Sequence, residues 1–360
     1  MPDLDPTHVV LLTGVEPDPM AVAMVALVVD LPHAVAVRHH IDVDAQVLHR
    51  VVSDITGILE REEIPLDHAC ASCALREDVL PTLRRLADDG RWTTIVAQLP
   101  VGAGAEQVCH VLALEASWSR RLRVASVVTA LAGSSLLDDL LGDLLLRERG
   151  HHTAEDDARG VGEVACAMVE HADLVVVAGD TSPVGLDLLR TLARPGALVV
   201  PGVEHLEGSV AVSERHHHPL TRAWSDPLRP LGALGPQRAS ERVWTVDLGS
   251  PRAFHPHRLR TRLDELGGGR HRSRGCFWLP TRPGDVLVWD GSGGQLSIGT
   301  RGTWARRTPY THLSFVGAGS EPAHLTDSFG DLLLAHDEVW RPGHREDGFE
   351  RWLGPIRTVA

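Results

Sequence analysis

The first 200 residues alternate short apolar runs with segments of helical periodicity. Uninterrupted apolar runs such as 8–14 and 173–178 are typical of strands buried on both faces of a parallel sheet. Segments such as 80–88 place their apolar residues on one helical face. The alternation predicts an α/β domain, with a doubly wound, mostly parallel sheet covered by helices on both sides. The predicted strands are 8–14, 34–38, 93–98, 124–130, 173–178 and 197–200, and the predicted helices are 21–29, 80–88, 134–147, 163–170 and 185–192.

The pattern changes after residue 204. Residues 205–240 are rich in proline, histidine and arginine, which predicts a linker. Residues 241–345 then mix short strands with two helical segments, 257–266 and 325–336, which predicts a small α+β domain. We therefore divide the chain into a first domain (1–204), the linker, the second domain and a C-terminal tail (346–360).

Composition narrows the function classes. The hydrophobic content of 43% is sufficient for a real core, and the formal charge of −13 disfavours binding to free DNA. No apolar run is long enough to predict a membrane span, and the N-terminus lacks the basic region of a signal peptide. Five sparse cysteines favour reduced thiols, so we expect a cytoplasmic protein. The chain contains no lysine, and all 35 of its basic residues are arginine.

Three motifs in the second domain resemble the CobW-like family of P-loop GTPases, which includes zinc metallochaperones. They are Ala253–Leu259 (AFHPHRL), Arg274–Leu279 (RGCFWL) and Gly302–Trp304 (GTW), and they occur in the family's order. In the first domain, Ala69–Asp78 (ACASCALRED) is similar to the family's G-C-x-C-C segment, with Ser72 in place of the middle cysteine. The resemblance implies a P-loop domain followed by a CobW C-terminal domain.

The segment that aligns with the family's P-loop, 14–22 (GVEPDPMAV), departs from the pattern G-x-x-G-x-G-K-T-T. Gly14 is retained, but Met20 replaces the lysine that reaches the phosphates and Ala21 replaces the Mg²⁺-binding hydroxyl. Pro17 and Pro19 remove two backbone N–H donors, and the nearby Glu16 and Asp18 add negative charge.

Two later motifs of the family are also altered. Gln98 replaces the acid that follows the third strand, and residues 178–181 (AGDT) replace the guanine-recognition motif N-K-x-D. We therefore expect neither GTP binding nor catalysis. The alternative, an active GTPase with a substitute cation, would need an arginine in the loop, and the loop contains none.

Cys70 and Cys73 are the strongest metal-ligand candidates, because a Cys-x-x-Cys pair suits tetrahedral zinc or redox chemistry. Two thiolates do not complete a zinc site, so His68 is the predicted third ligand, and Ser72 is a poor one. The predicted site is a weak or switchable zinc site. The alternatives are a relic loop with two ordinary thiols and a redox pair.

Other candidates are less specific. His216, His217 and His218 lie in the predicted linker, where the resemblance implies loose metal binding and where the alternative is a solvated loop. We expect His255 to cap or pack the start of a helix. Dense arginines in the second domain predict a solvated face or a docking surface, with exposed tryptophans as candidate interface anchors. The candidate tryptophans are Trp289, Trp304 and Trp340.

These observations predict a non-catalytic, CobW-like pseudo-GTPase that acts as an interaction factor in the zinc-limitation response. The degenerate motifs resemble the actinobacterial branch that includes a mycobacterial factor recruiting a hibernation protein to ribosomes. That resemblance implies a hibernation factor and the 70S ribosome as partners. The alternative is a zinc metallochaperone or sensor that uses the Cys70/Cys73 loop, with or without residual nucleotide binding.

Overall fold

A computed structural model describes residues 6–229, 240–335, 337–338 and 347–356 of the chain. The chain divides into two compact units, one comprising residues 1–139 and 144–225 and the other comprising 140–143 and 226–360. The first unit contains an eight-stranded sheet in the order β4-β3-β2-β5-β1-β6-β7-β8. Its strands are β1 (Thr7–Thr13), β2 (Ala34–Asp42), β3 (Val47–Asp54), β4 (Gly57–Pro65), β5 (Thr94–Gln98), β6 (Leu122–Ala132), β7 (Leu174–Ala178) and β8 (Leu198–Pro201).

Six of these strands pair in parallel, in the sheet order β2-β5-β1-β6-β7-β8. Clusters of buried apolar side chains form the core of the unit. This architecture confirms the predicted doubly wound, mostly parallel sheet. The helices up to residue 225 are α1 (Pro17–Asp30), α2 (Ala71–Ala74), α3 (Leu80–Asp89), α4 (Glu106–Leu114), α5 (Ala116–Ser119), α6 (Leu136–Leu141), α7 (Val161–His171), α8 (Pro183–Leu192), α9 (Gly208–Ala211) and α10 (His218–Ser225). A π-helical turn, Leu75–Val79, joins α2 to α3, and short 3₁₀ turns occupy Leu146–Arg149 and Val203–His205.

The second unit contains an antiparallel sheet in the order β12-β11-β10-β13-β9. This sheet confirms the predicted α+β class. The strands are β9 (Val243–Ser250), β10 (His271–Phe277), β11 (Asp285–Ser292), β12 (Gln295–Thr303) and β13 (Thr311–Ala318). The helices are α11 (Pro256–Thr261), α12 (Asp264–Gly267), α13 (Leu325–Leu332) and α14 (Glu350–Leu353). His255 is the N-cap of α11, where its Nδ1 accepts the Arg258 N–H at 3.3 Å, as expected.

In the second unit, the structure contradicts the surface expectation for two of the tryptophans and for two of the arginines. Trp289 is fully buried in the apolar core and Trp304 is 3% exposed, so neither side chain is an exposed interface anchor. Arg272 and Arg274 are also buried, and Arg272 pairs with Asp290 from the neighbouring strand. These arginines therefore do not belong to a solvated basic face. Trp340, the third tryptophan predicted as an anchor, lies outside the described residues.

The segment predicted as a linker is ordered in its first part. It contains α9 and α10, and α10 packs against α7 and α4. Trp224 of α10 is only 2% exposed, so this segment contributes to the core of the first unit. The first compact unit therefore extends to Ser225. Although this segment is rich in proline and histidine, α10 is amphipathic and buries its apolar side.

No helix among the described residues combines the length and the apolar character that crossing a membrane requires.

Candidate functional site

The turn between β1 and α1 corresponds to the degenerate P-loop of the sequence analysis. It comprises only residues 14–16, because α1 already begins at Pro17. A proline is favoured at the first helical position, where its fixed φ suits the helix and its missing N–H costs nothing. The residues that align with the phosphate-wrapping part of a P-loop, 17–20, thus form the first turn of a helix.

Met20 occupies the position of the family's lysine and points into the core. Its side chain is fully buried, in a cluster that includes Leu12 and Ala130. A Cβ atom at Gly14 would meet both Met20 Cγ and the Ala130 carbonyl oxygen at 2.7 Å. The space next to Gly14 is therefore filled by the thioether chain and by the backbone of β6.

The charges at this turn are paired within the protein. Glu16, the N-cap residue of α1, accepts a hydrogen bond from Arg149 Nη1 at 3.0 Å, and Arg149 also contacts Asp139 at 2.6 Å. Burial and the neighbouring Asp139 carboxylate raise the pKa of Glu16, against the attraction of Arg149. The nearby guanidinium is thus engaged by two carboxylates and does not extend toward a ligand.

A cleft of about 520 Å³ opens beside the start of α1. Its volume is in the range of small-molecule sites, but its walls carry both signs of charge. Asp18 lies at the helix end, and Ala21 offers no hydroxyl for a metal ion. The rest of the lining comprises Pro17, Arg38, His39, His40, His49, Val51, Arg61, Glu63, Gln98 and Val101.

The structure places the two altered downstream motifs at the ends of strands. Gln98 closes β5 and is 3% exposed, and its side-chain oxygen has no hydrogen-bond partner among the described residues. The segment 178–181 starts at the last residue of β7. A Cβ atom at Gly133 would meet the carbonyl oxygen of Asp180, in this segment, at 2.3 Å. The Asp180 backbone therefore packs directly against the end of β6.

Cys70 and Cys73 lie together at the start of α2. Cys70 is the N-cap, and its Sγ accepts the Cys73 backbone N–H at 3.2 Å. Hydrogen bonding with the Cys70 side chain, followed by burial, raises the pKa of the Cys73 thiol to about 11. Both cysteines are half-buried, and Ser72 accepts a hydrogen bond from Gln107 of α4.

The predicted third ligand is not brought to this pair. His68 is exposed, and its recorded contact with Cys70 is through its backbone carbonyl oxygen. Among the described residues, no group of three His, Cys, Asp or Glu ligand atoms within 4.8 Å of one another includes Cys70 or Cys73. The pair thus supplies two of the four ligands of a tetrahedral zinc site, and the Cys73 backbone N–H donates to one of the two sulfurs.

A different cluster, which the sequence analysis missed, lies deeper in the same unit. Cys109 of α4, His171 of α7 and His216 each place a ligand atom within 4.8 Å of the others. Only His216 was a sequence candidate, and it lies against the core and not in a solvated loop. Burial, followed by the proximity of His216, lowers the pKa of His171 to about 4, so this imidazole is neutral at pH 7.

Comparison with known proteins identifies the second unit. Residues 243–333 match the cobalamin synthesis protein cobW C-terminal domain. Residues 243–333 form a CobW C-terminal domain. This range includes all three motifs that carried the resemblance.

Two relatives that match over more of the chain have names that refer to zinc. A Mycobacterium tuberculosis protein named zinc chaperone is 27% identical over 348 residues, which cover 86% of this chain and 84% of that protein. The zinc-regulated GTPase metalloprotein activator 1 of Dictyostelium discoideum is 21% identical over 291 residues, covering 74% and 60% of the two chains. Both relatives match well beyond the 243–333 domain, into the first unit. Among solved structures, the Zn(II)-bound YjiA GTPase from E. coli aligns with 91% of this chain and 99% of that chain, at 14% identity and a TM-score of 0.39.

Proposed function

We propose that this CobW-like chain carries zinc on its Cys70/Cys73 loop and does so without binding or hydrolysing GTP. In this proposal zinc is the cargo, and the α/β unit is a scaffold that has lost its nucleotide step. The proposal has a nucleotide part and a zinc part, which rest on different residues.

The start of α1 at Pro17 is the observation that carries the nucleotide part. A phosphate cradle needs successive backbone N–H groups that converge on an open space, together with a cation and a Mg²⁺-binding hydroxyl. Here the equivalent residues form a helical turn, Met20 fills the space beside Gly14, and Arg149 is held by Glu16 and Asp139. These residues do not fit a nucleoside triphosphate.

The zinc part is supported by the geometry of the thiol pair and by the names of two relatives. Cys70 and Cys73 offer two soft donors, and a backbone N–H already points at one sulfur. The remaining coordination positions would be taken by exchangeable groups or by a recipient protein. A half-complete site of this kind suits the transfer of zinc better than permanent storage.

Two measurements on the full-length chain test the proposal. Isothermal titration calorimetry with GTP and Mg²⁺ should show no binding in the micromolar range, and phosphate release should equal the buffer rate. Native mass spectrometry should find one zinc ion fewer in the Cys70→Ser/Cys73→Ser double variant than in the Ser72→Ala control. A micromolar GTP affinity would contradict the first part, and equal zinc stoichiometry in the two variants would contradict the second.

A further inference from the structure

The buried cluster of Cys109, His171 and His216 lies on three elements of the first unit. Cys109 is in the middle of α4, His171 ends α7, and His216 lies just before α10. Cys109 is fully buried, His171 is 6% exposed, and the His216 side chain is 4% exposed. The His216 backbone N–H donates to the Ala125 carbonyl oxygen at 3.0 Å, which fixes this segment to β6.

Several histidine nitrogens in this cluster and in the neighbouring His218 are buried without a hydrogen-bond partner among the described residues. The atoms concerned are His171 Nε2, His216 Nε2 and both ring nitrogens of His218. A buried polar group without a hydrogen-bond partner destabilises the folded state, and folded proteins seldom contain several such groups side by side. These buried nitrogens are therefore available to a ligand.

Asp173 orients one of these rings. Its Oδ2 lies 3.0 Å from His216 Nδ1, and it also accepts the Val127 backbone N–H at 2.7 Å. Its other oxygen pairs with Arg194. A carboxylate that accepts the Nδ1–H of a histidine leaves Nε2 with a lone pair, and this arrangement is common behind histidines that bind metals.

We propose that Cys109, His171 and His216 bind a zinc ion, with Asp173 as the positioning residue behind His216. One cysteine sulfur and two imidazole nitrogens form a donor set that favours tetrahedral Zn²⁺. Tetrahedral zinc separates such ligand atoms by about 3.3–3.6 Å. The observed separations, all within 4.8 Å, therefore close around an ion by side-chain movements of about 1 Å or less.

His218 lies next to the three proposed ligands but is not one of the group whose ligand atoms lie within 4.8 Å, so a fourth ligand from His218 would require its ring to move closer. Its ring centroid is 6.0 Å from that of His216, and the residue is 7% exposed. Four ligands would close the coordination sphere, which is typical of structural zinc. Such an ion would tie the segment before α10 to α4 and α7, which explains why a sequence with the composition of a linker is packed into the core.

This site is separate from the Cys70/Cys73 loop, and its test does not depend on the proposed function. The full-length Cys70→Ser/Cys73→Ser variant removes the thiols of that loop, and Co²⁺ alone then serves as a spectroscopic probe. We expect one equivalent of Co²⁺ to bind, with a near-ultraviolet thiolate charge-transfer band and the intense visible bands of four-coordinate cobalt. Zn²⁺ should displace the cobalt.

Further substitutions in this background assign the ligands. Cys109→Ala should abolish the thiolate band, and His216→Gln, which removes a proposed direct ligand, should weaken Co²⁺ binding more than loss of the supporting Asp173 carboxylate does. The matched control is His217→Gln, because His217 is the exposed neighbour in the same histidine triplet, and it should bind as its parent does. Asp173→Asn should weaken binding by about 10–100-fold while the thiolate band remains.

Three results would overturn the proposal. They are the lack of stoichiometric Co²⁺ binding in the double variant, a thiolate band that survives Cys109→Ala, and equal effects of the His216 and His217 substitutions. Circular dichroism checks that each variant is folded. If His216→Gln does not fold, His171→Gln provides the same measurement, and Zn²⁺ should raise the unfolding temperature of the double variant but not that of its Cys109→Ala derivative.

Discussion

Met20 packs directly against Gly14. A Cβ atom at Gly14 would lie 2.7 Å from Met20 Cγ and 3.0 Å from Met20 Sδ, so the first turn of α1 fits onto the end of β1 only because residue 14 has no side chain. Gly14 is thus retained for close packing of helix on strand. A glycine at the start of a family motif therefore need not indicate that the motif still binds phosphate.

The first prediction is that restoring the motif residues does not restore nucleotide binding. Met20→Lys/Ala21→Thr should show no GTP affinity, because residue 20 points into the core and α1 still begins at Pro17. The variant should also lose at least about 2 kcal/mol of unfolding free energy, since an ammonium group replaces a buried thioether. Val22→Lys is the control, because Val22 is 51% exposed on the same helix and should tolerate the charge. GTP binding that appears in the double variant would refute this account of α1.

The second prediction concerns Asp78, which is buried between His39 and Arg50. It lies 3.0 Å from His39 Nε2, and it pairs with Arg50. Burial raises the pKa of the Asp78 carboxyl, but the hydrogen bond and electrostatic attraction of His39, together with Arg50, outweigh it and hold the pKa below its ordinary value. Asp78→Asn should therefore cost about 3 kcal/mol at neutral pH, because it removes the buried carboxylate beside Arg50 and leaves only the more exposed Glu60 and Glu62 near the guanidinium.

The sign of the pH dependence follows from this lowered pKa. A carboxyl whose pKa is lower in the folded state stabilises the protein above its unfolded value of about 3.9, and that stability is lost as the pH falls below about 4. The difference between wild type and Asp78→Asn in denaturant unfolding should therefore shrink in acid. Glu62→Gln serves as the control, because Glu62 also contacts Arg50 but its side chain is 54% exposed, so its loss should cost less than about 1 kcal/mol at every pH.

The buried parallel strands could be predicted from the sequence because burial on both faces imposes an apolar run. β5 and β7 each differ from the predicted segment by one residue at the N-terminal end. β3 and β4 were missed because they form an antiparallel hairpin with much exposed surface, and most residues of β4 are polar or exposed. The predicted start of α1 was four residues late, since the helix begins at Pro17.

The candidate sites could be predicted only where their residues are close together in the sequence. Cys70 and Cys73 are neighbours in the sequence, so their proximity could be predicted from their spacing. Cys109, His171 and His216 are far apart in the chain, and only the packing of α4, α7 and α10 brings them together. No periodicity or short motif in the sequence predicts that these three side chains lie close together.

The third prediction concerns Gly275 in the RGCFWL motif. A Cβ atom there would meet the His312 carbonyl oxygen at 2.0 Å. Gly275 lies in β10 and His312 in β13, and the two strands are hydrogen-bonded neighbours. Gly275→Ala should therefore lower the unfolding free energy of the CobW C-terminal domain by at least about 2 kcal/mol. The control Gly299→Ala adds the same methyl group to β12 at an ordinary distance of 3.6 Å from Val288, and it should cost less than about 1 kcal/mol. Equal melting curves for the two variants would contradict the steric explanation.

The adaptor role and its partners, a hibernation factor and the 70S ribosome, stay predictions of the sequence. They are tested by affinity purification of the tagged chain from zinc-depleted and zinc-replete cells. Recovery of ribosomal proteins only after depletion would support recruitment. The Cys70→Ser/Cys73→Ser variant shows whether the thiol loop controls it, and equal recovery in both zinc states would exclude a zinc-dependent adaptor.

The last prediction concerns Ser72, which stands between the two thiols of the proposed carrier loop. Ser72 is exposed and lies in the short α2, so a cysteine can be introduced without disturbing the core. A third thiolate is a far better zinc ligand than a hydroxyl, and about 1.4 kcal/mol of extra binding energy gives a tenfold gain. Ser72→Cys should therefore tighten zinc binding by about tenfold or more in competition with a chromophoric chelator. Ser72→Ala should leave the affinity unchanged, since we assign the hydroxyl no role as a ligand. If Ser72→Ala weakened binding instead, Ser72 would itself be a ligand, and the wild-type loop would be a three-coordinate site.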